Sequence, residues 1–305
     1  MTKKNILLVA SFINPHDICY MAITQCSSGP ALERKYSKNK VEIETMTAAA
    51  SNPEGVDDDE FFAKYAPPLP SNHEPQEDEP EAIQELLEQR EFRCKARSSW
   101  GEPEWRRHRW AYQRLTENVD NQIGQVLGAL REAGLEEDTV VIFTSDHGDH
   151  DSSHKLEHKT VLYDEATRIP MIIQDPDCAD KGSISEHLVC NGLDIYPTVC
   201  DYAGAQVPAD LTGISLRKPV RGQTISEWRD HILFESENGY GIQTQNYLYA
   251  LYDRGENREQ LYDLMADPGQ TRNFASDPGK NEVLKQLRRL LGEYAGKNNR
   301  AISFD

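Results

Sequence analysis

Long hydrophobic runs are missing from this sequence of 305 residues. A membrane-spanning helix needs roughly 20 consecutive apolar residues, and the apolar runs here have only the length of strands. Two lysines and the short run NILLVASF open the chain, without the small-residue cleavage site of a secretory signal peptide. We therefore expect no membrane span and no signal peptide, and the cellular location stays open.

The six cysteines form no framework that would indicate a metal site or a disulfide scaffold. No two of them have the CxxC spacing of a zinc ribbon, and a chain of this length rarely depends on disulfides. We expect mostly buried thiols. The cysteines are Cys19, Cys26, Cys94, Cys178, Cys190 and Cys200.

Positive charge is also scarce. Lysine and arginine number 33 against 51 acidic residues, and the net charge of -18 opposes binding to nucleic-acid phosphates. Between Glu54 and Glu91, thirteen acidic residues accompany only two basic ones, which accounts for 11 of the 18 excess negative charges. The acidity is therefore mainly local.

Short apolar runs and helical patterns alternate along the first two thirds of the chain. Residues 5–12 and the run RIPMIIQD are apolar without a helical period, so we predict two buried strands. Residues 105–130 repeat apolar side chains at helical spacing, and Gly134 is a natural stop. A helix, a short turn and the apolar strand TVVIF together indicate an α/β fold with a mostly parallel sheet.

Composition changes in two other regions. Residues 52–81 are rich in proline, glycine and acid, which predicts a surface excursion. From Ile232 onward, aromatic strand-like runs broken by Asn-Gly indicate antiparallel ribbons, and a final helix opens near Asp277. We therefore predict an α/β domain over residues 1–221 and a small α+β subdomain over residues 222–305.

A dense polar cluster follows the strand TVVIF. The fifteen residues SDHGDHDSSHKLEHK hold three Asp, one Glu, four His and two Lys. Ligands in parallel α/β sheets bind beyond the carboxyl ends of the strands, so Asp146 and His147 are candidate metal ligands, and Gly148 permits a tight turn after them. Carboxylate suits calcium or magnesium, and Asp with His also suits zinc or manganese. The alternative is a polar loop in which Asp146 caps a helix.

Lys159 closes the cluster. An ammonium group close to a cation site indicates an anionic group between them, so Lys159 is a candidate for binding an anionic substrate. On its own, the same lysine also suits a surface salt bridge. His154 and His158 suit ligands, proton donors or solvated loop residues, and their spacing does not separate these roles.

Several long segments resemble the second half of the sulfatase family, which belongs to the alkaline-phosphatase-like superfamily. They are ENVDNQIGQVLGALREAGLEEDTVVIFTSDHGD, HKTVLYDEATRIPMII and GLDIYPTVCDYAGAQVPADLTGISL. The tail QNYLYALYDRGENREQLYDLMADPGQTRN is similar to the C-terminal subdomain of the family, and LLVASFINPHDI to its mid-chain strand. The resemblance implies a partial alkaline-phosphatase-like fold over nearly the whole chain.

This resemblance implies specific roles. The metal-binding pair of the family, which holds calcium, falls on Asp146 and His147, and its sulfate-contacting lysine falls on Lys159. The histidine that contacts sulfate and assists proton transfer falls on His16. A divalent cation, a lysine and a histidine would together neutralise the sulfate oxygens in the transition state. His154 and His158 are further candidates for substrate binding.

Two motifs of the family are absent from the sequence: the opening Asp-Asp pair, and the C/S-x-P-S-R motif whose first residue becomes the formylglycine nucleophile. The nearest candidate, CSSGPA at Cys26, lacks the proline and the arginine. We therefore expect weak calcium binding and little or no activity of the isolated chain. A gene fragment, a misplaced start, half of a split protein and a degenerate relative remain alternatives.

The sequence thus predicts a sulfatase-like hydrolase of sulfuric esters, in truncated form, with a sulfated small molecule or carbohydrate as its ligand. One alternative is a phosphate or phosphonate ester hydrolase of the same superfamily. Another is a non-catalytic protein that keeps an incomplete anion site. An upstream N-terminal half or self-association is the expected partnership, because a sheet without its central strands exposes apolar edges.

Overall fold

A computed structural model describes residues 6–27, 38–298, 300 and 302–304 of the chain. They form a mixed α/β structure, which confirms the predicted class. The helices are α1 (Cys19–Cys26), α2 (Lys40–Ala49), α3 (Asp58–Lys64), α4 (Glu81–Glu88), α5 (Glu91–Ser99), α6 (Glu102–Glu132), α7 (Asp164–Thr167), α8 (Asn191–Ala203), α9 (Arg217–Val220) and α10 (Asn281–Lys297). The strands are β1 (Val141–Thr144), β2 (Met171–Gln174), β3 (Ile232–Ser236), β4 (Gly239–Gln243), β5 (Tyr247–Tyr252) and β6 (Glu259–Asp263).

The described chain divides into two compact units, each assembled from separate segments. The first unit consists of residues 6–12, Gly124–Asp146 and Ile169–Ile232. The second unit consists of Ile13–Ile123, His147–Arg168 and the chain from Leu233 onward. The predicted domains, residues 1–221 and 222–305, instead follow one cut in the sequence, and that division stays a prediction.

The first unit contains a two-stranded sheet. Strands β1 and β2 pair antiparallel, with Phe143 opposite Ile172. The prediction of a mostly parallel sheet is therefore wrong for these two strands, and β4, β5 and β6 also pair antiparallel. The physical reason is the connection from β1 to β2: its described residues form a loop with one short helix, α7, and lack the long crossover helix that joins parallel neighbours.

The apolar run at the start of the chain is not a buried strand. Ile6 and Leu8 are 88% and 81% exposed, and residues 6–12 have no strand assignment. An apolar segment becomes a buried strand only when neighbouring strands satisfy its backbone groups. Among the described residues no strand pairs with this segment, which explains why hydrophobicity alone gave the wrong prediction.

Helix α8 is anchored by a buried carboxylate. The helix ends at Gly204, which adopts the left-handed conformation with φ of +66° directly after it. Asp194 is fully buried, accepts hydrogen bonds from the backbone N–H groups of Cys190 and Ile214, each at 2.8 Å, and pairs with Arg229. A buried charge is tolerated when it is paired in this way, so this cluster fixes the helix within the first unit.

Two apolar cores of the second unit involve the C-terminal strands. One core joins α4, β5 and β6 to residues 156–163 of the loop after β1, with Leu156 and Tyr163 fully buried there. The other places α10 against the four-stranded sheet β3–β4–β5–β6. The predicted antiparallel ribbons and final helix are thereby confirmed. The loop that carries the candidate site residues is packed directly against the C-terminal strands.

The longer predicted helices are confirmed by α6 and α10. Within the predicted surface excursion, residues 52–81, the chain forms α3, and the side chains of Asn72 and His73 are buried. None of the described helices combines the length and apolar character needed to cross a membrane.

Candidate functional site

Gly148 permits a close approach of two backbone segments beside the candidate metal ligands. Its N–H donates to the carbonyl of Ala166 at 2.9 Å. A Cβ atom at this position would lie 1.9 Å from the carbonyl oxygen of Glu165, well inside van der Waals contact. The chain bends at Asp146, and Gly148 itself has no assigned turn, so the glycine serves this close backbone contact instead of the expected tight turn.

Asp146 and His147 are both exposed at the end of β1. The hydroxyl of Ser145 donates to Asp146 Oδ1 at 3.3 Å, and His147 Nδ1 lies 2.8 Å from the carbonyl oxygen of Gly148. Within the described ranges, no group of three or more His, Cys, Asp or Glu side chains is arranged to hold a metal ion. Calcium takes six to eight oxygen ligands, so these two residues fall short of a complete site.

His154 lies in the interior of the second unit. Its side chain is 0% exposed, and its ring stacks on Tyr163 with centroids 3.8 Å apart and planes at 10°. Nε2 lies 3.4 Å from Asn72 Nδ2 and 3.8 Å from Glu165 Oε2. Burial lowers the pKa of His154 to about 3, so the ring is neutral near pH 7. Its contact with substrate stays a prediction.

His158 forms a buried pair with Glu157. Nδ1 of the histidine lies 2.5 Å from Oε2 of the carboxylate. Burial opposes ionisation of Glu157, but the neighbouring His158 ring lowers the pKa of that carboxyl overall. The ring of His150 lies 6.3 Å from that of His158, and burial lowers the pKa of His150 well below its usual value. The loop thus buries three histidines, and the binding role of His158 stays a prediction.

The other candidate residues lie nearer the surface. Lys159 is half-buried and directly follows the buried His158. His16 begins a short helical turn; its side chain is half exposed, with Nδ1 3.9 Å from Asp17 Oδ1. His16 and Lys159 lie in the second unit, whereas Asp146 ends a segment of the first. Their joint action on one anion therefore remains a prediction.

The thiol of Cys26 is buried against α2, α5 and Trp105. Burial raises its pKa, which disfavours the reactive thiolate. The described cysteines form no disulfide, and the other five are half-buried, so the expectation of mostly buried thiols is met only by Cys26. Most of the segment CSSGPA lies outside the described residues. A buried, protonated thiol agrees with the sequence-based judgement that Cys26 is not the nucleophile.

Three residues beside the loop were missed by sequence analysis. Asn72 donates from Nδ2 to Glu165 Oε1 at 2.6 Å and to the carbonyl of Gly269 at 2.9 Å. His73 Nδ1 lies 2.7 Å from the carbonyl oxygen of Ser152. The only signal for them was a polar triplet, Asn-His-Glu, between two prolines in the acidic segment.

The fold and the loop define an α/β protein in which a strand is followed by an acid–histidine–glycine segment and then by a lysine-bearing loop. Comparison with known proteins identifies that class. The family model for sulfatases matches residues 2–205, and the model described as N-sulphoglucosamine sulphohydrolase, C-terminal, matches residues 152–297. The chain belongs to the sulfatase family, as its sequence predicted.

Individual relatives agree with this assignment. The chain is 30% identical over 304 residues to a Delta 4,5-hexuronate-2-O-sulfatase of Bacteroides thetaiotaomicron, with 96% of this chain and 57% of the relative covered. The solved structure of a 2-O GAG sulfatase superposes with a TM-score of 0.75 at 27% identity, over 94% of this chain and 58% of that one. The chain therefore spans little more than half the length of these relatives.

A phosphonate monoester hydrolase of Agrobacterium radiobacter is also similar in structure. It superposes with a TM-score of 0.58 at 25% identity, covering 66% of this chain and 43% of that one. The match is shorter and the TM-score lower than for the 2-O GAG sulfatase. The superfamily alternative raised by the sequence thus has a related structure, but the sulfatase match is the stronger one.

Proposed function

We propose that this chain carries the sulfate-binding part of a sulfatase-type site that acts on sulfated carbohydrate. The main support is the alignment with a Delta 4,5-hexuronate-2-O-sulfatase along almost the whole chain. In the sequence, Asp146 and His147 precede Lys159 in the order that the resemblance to the sulfatase family implies. The carbohydrate class follows from the relative's name and is part of the proposal.

In this proposal Lys159 and His16 contact the sulfate oxygens, and His154 and His158 belong to the substrate-binding side of the site. Lys159 would contribute a fixed positive charge to the anion. His16, half exposed, would donate a hydrogen bond and assist proton transfer. Asp146 and His147 are proposed as part of a calcium shell that needs further ligands.

The sequence contains no C/S-x-P-S-R motif. Formylglycine in this family provides two hydroxyl groups, one of which attacks sulfur while the other later drives release of sulfate. Without that nucleophile, we propose that the isolated chain binds a sulfate ester and does not turn it over. A polypeptide that supplies the missing motifs, or a second copy of this chain, is the proposed partner.

Binding and turnover can be tested separately with purified protein. Titration calorimetry with inorganic sulfate should show binding that Lys159→Ala weakens by about tenfold or more, as expected for a lost charge-assisted hydrogen bond. Lys285→Ala is the matched control, because Lys285 is an exposed lysine of α10 paired with Glu282. An aryl sulfate should not be hydrolysed. Multiple turnovers that Cys26→Ala abolishes would overturn the proposal.

A phosphonate or phosphate ester hydrolase is the second candidate, and the observation in its favour is the structural match to the phosphonate monoester hydrolase. The same calorimetry distinguishes the two functions. Tighter binding of methylphosphonate than of sulfate, with the same dependence on Lys159, would favour the second candidate. If Lys159→Ala changes the affinity for neither anion, the result would favour a non-catalytic protein.

A further inference from the structure

The loop after the candidate metal ligands holds an unusual backbone conformation. Four non-glycine residues within five positions have positive φ angles: 42° at Asp151, 79° at Ser152, 55° at His154 and 53° at Lys155. Residues with a Cβ atom seldom adopt the left-handed region. Such a conformation persists where the surroundings over-determine it, and it concentrates at binding sites. The contacts around this loop therefore constrain its backbone.

Part of the constraint lies within the loop itself. The N–H of His150 donates to the carbonyl of His158 at 3.1 Å, and the N–H of Ser152 donates to the carbonyl of Leu156 at 3.0 Å. These bonds close the loop like a short hairpin. Lys159 follows immediately after the closing residue, His158. The conformation of the loop therefore determines the position of the Lys159 backbone.

The tip of the loop is held by three consecutive residues from a distant part of the chain. The carbonyl of Asn72 accepts a hydrogen bond from the N–H of His154 at 2.8 Å, and His73 Nδ1 lies 2.7 Å from the carbonyl oxygen of Ser152. Nζ of Lys155 donates to the Glu74 carboxylate at 2.8 Å. The triplet thus contacts three loop residues with positive φ angles, Ser152, His154 and Lys155.

The triplet is itself anchored. The side-chain amide of Asn72 donates to Glu165 and to the carbonyl of Gly269, so it links the loop to the turn after β6. The ring of His73 packs edge-on against Trp105, with centroids 5.5 Å apart. Because a carbonyl oxygen can only accept, Nδ1 of His73 must carry the proton. Burial lowers the pKa of His73, which favours a neutral ring with that single donor.

We propose that Asn72, His73 and Glu74 form a positioning clamp that holds residues 151–155 in their left-handed conformation and so places Lys159 for the anion. The clamp residues act through the loop and do not touch the ligand. The positioning role rests on the proposed function of Lys159, whereas the clamping role rests on the contacts alone.

The test compares two substitutions of His73. His73→Leu removes the donor to Ser152, while His73→Asn keeps an N–H close to the position of Nδ1. Hydrogen–deuterium exchange of peptides covering residues 150–160 should rise about fivefold in His73→Leu, the factor that corresponds to one lost hydrogen bond. Exchange in α10 of the same unit should stay unchanged. His73→Asn should return both exchange and sulfate affinity towards the wild-type values.

The outcomes separate the clamp from the function. Faster loop exchange with unchanged sulfate affinity would overturn the positioning of Lys159 and leave the proposed function intact. Absence of sulfate binding by the wild type would overturn the proposed function, and the clamp would then be judged by exchange alone. If His73→Leu does not fold, Glu74→Gln serves instead, since it removes only the contact to Lys155. Unchanged loop exchange in both variants would refute the clamp.

Discussion

In the folded chain the ring of His154 stays neutral down to a pH of about 3, because burial disfavours its charged form. In the unfolded chain the same ring takes up a proton near pH 6.5. Between these two values the unfolded state binds more protons than the folded state. Stability therefore rises with pH across this window and is lost as the pH falls below about 6.5.

This single residue should lower the free energy of unfolding by roughly 1.4 kcal/mol per pH unit below the unfolded pKa. His154→Phe keeps a ring against Tyr163 and cannot be protonated. The slope of its unfolding free energy against pH should therefore be smaller by the contribution of about one proton. Urea unfolding of both proteins at about pH 7 and about pH 5 measures the difference. Parallel pH profiles would show that His154 is already protonated or solvated in the folded chain.

The candidate metal pair supports a second prediction for single residues. Asp146 and His147 supply two donors, and calcium needs roughly six to eight oxygens, so we expect the isolated chain to bind calcium weakly, with a dissociation constant above about 10⁻⁴ M. Titration calorimetry checks this, with Asp120→Ala on an exposed position of α6 as the matched control for Asp146→Ala. Micromolar binding lost only in Asp146→Ala would mean that further carboxylates, such as Asp149 or Asp151, complete the shell.

At the scale of single elements, position 148 after β1 tolerates only glycine. In Gly148→Ala the new methyl group would meet the carbonyl oxygen of Glu165 at 1.9 Å, so two backbone segments would have to separate. We expect a loss of about 2–3 kcal/mol in the free energy of unfolding. Gly124→Ala in α6 meets nothing within 4 Å and should gain roughly 0.5–1 kcal/mol. Denaturant unfolding that shows equal effects for the two variants would contradict the close contact.

Elements with a local signal could be predicted from sequence, and those that depend on partners could not. Helices α6 and α10 and the stop at Gly134 follow from periodicity and capping within a few residues. The direction of β1 against β2 depends on the path of the connecting chain, and the burial of residues 6–12 depends on strands elsewhere. For this reason the expectations for both strand features were wrong.

The candidate site shows the same division. The strand end just before Asp146 could be predicted from consecutive residues, whereas the role of Gly148 in a close backbone contact could not. The contact of His73 with Ser152 joins positions 79 apart, and no short-range pattern encodes it. The burial of His154 follows from its stacking on Tyr163 and from the apolar core around that tyrosine, which residues distant in sequence complete.

At the scale of the whole molecule, exposed apolar surface in the first unit predicts self-association. Phe143 and Ile172 face each other across β1 and β2, and Ile172 is 59% exposed. Two paired strands leave backbone groups at their outer edges that other chains can join. Sedimentation of the purified chain should show dimers or larger species at micromolar concentration.

A charge placed on this face should weaken the association. Ile172→Lys adds one positive charge beside Phe143, whereas Met265→Lys adds the same charge to an exposed turn of the second unit. We expect the first variant to shift the sedimentation profile towards the monomer and the second to leave it unchanged. A wild type that is monomeric and unfolds cooperatively would instead show that these residues form a self-sufficient fold.

The packing of the loop against the C-terminal strands also sets an order of events during synthesis. Tyr163 hydrogen-bonds to Gln260 and shares a core with Tyr252 and Tyr262, which leave the ribosome about 100 residues later. At about 5–20 residues per second, the loop that carries Lys159 waits roughly 5–20 s for its packing partners. Throughout that interval Leu156 and Tyr163 lack the side chains of β5 and β6 that complete their core, although α4 has already been made. The candidate anion site can thus take shape only after the C-terminal strands have been made, although its own residues leave the ribosome about 100 residues earlier.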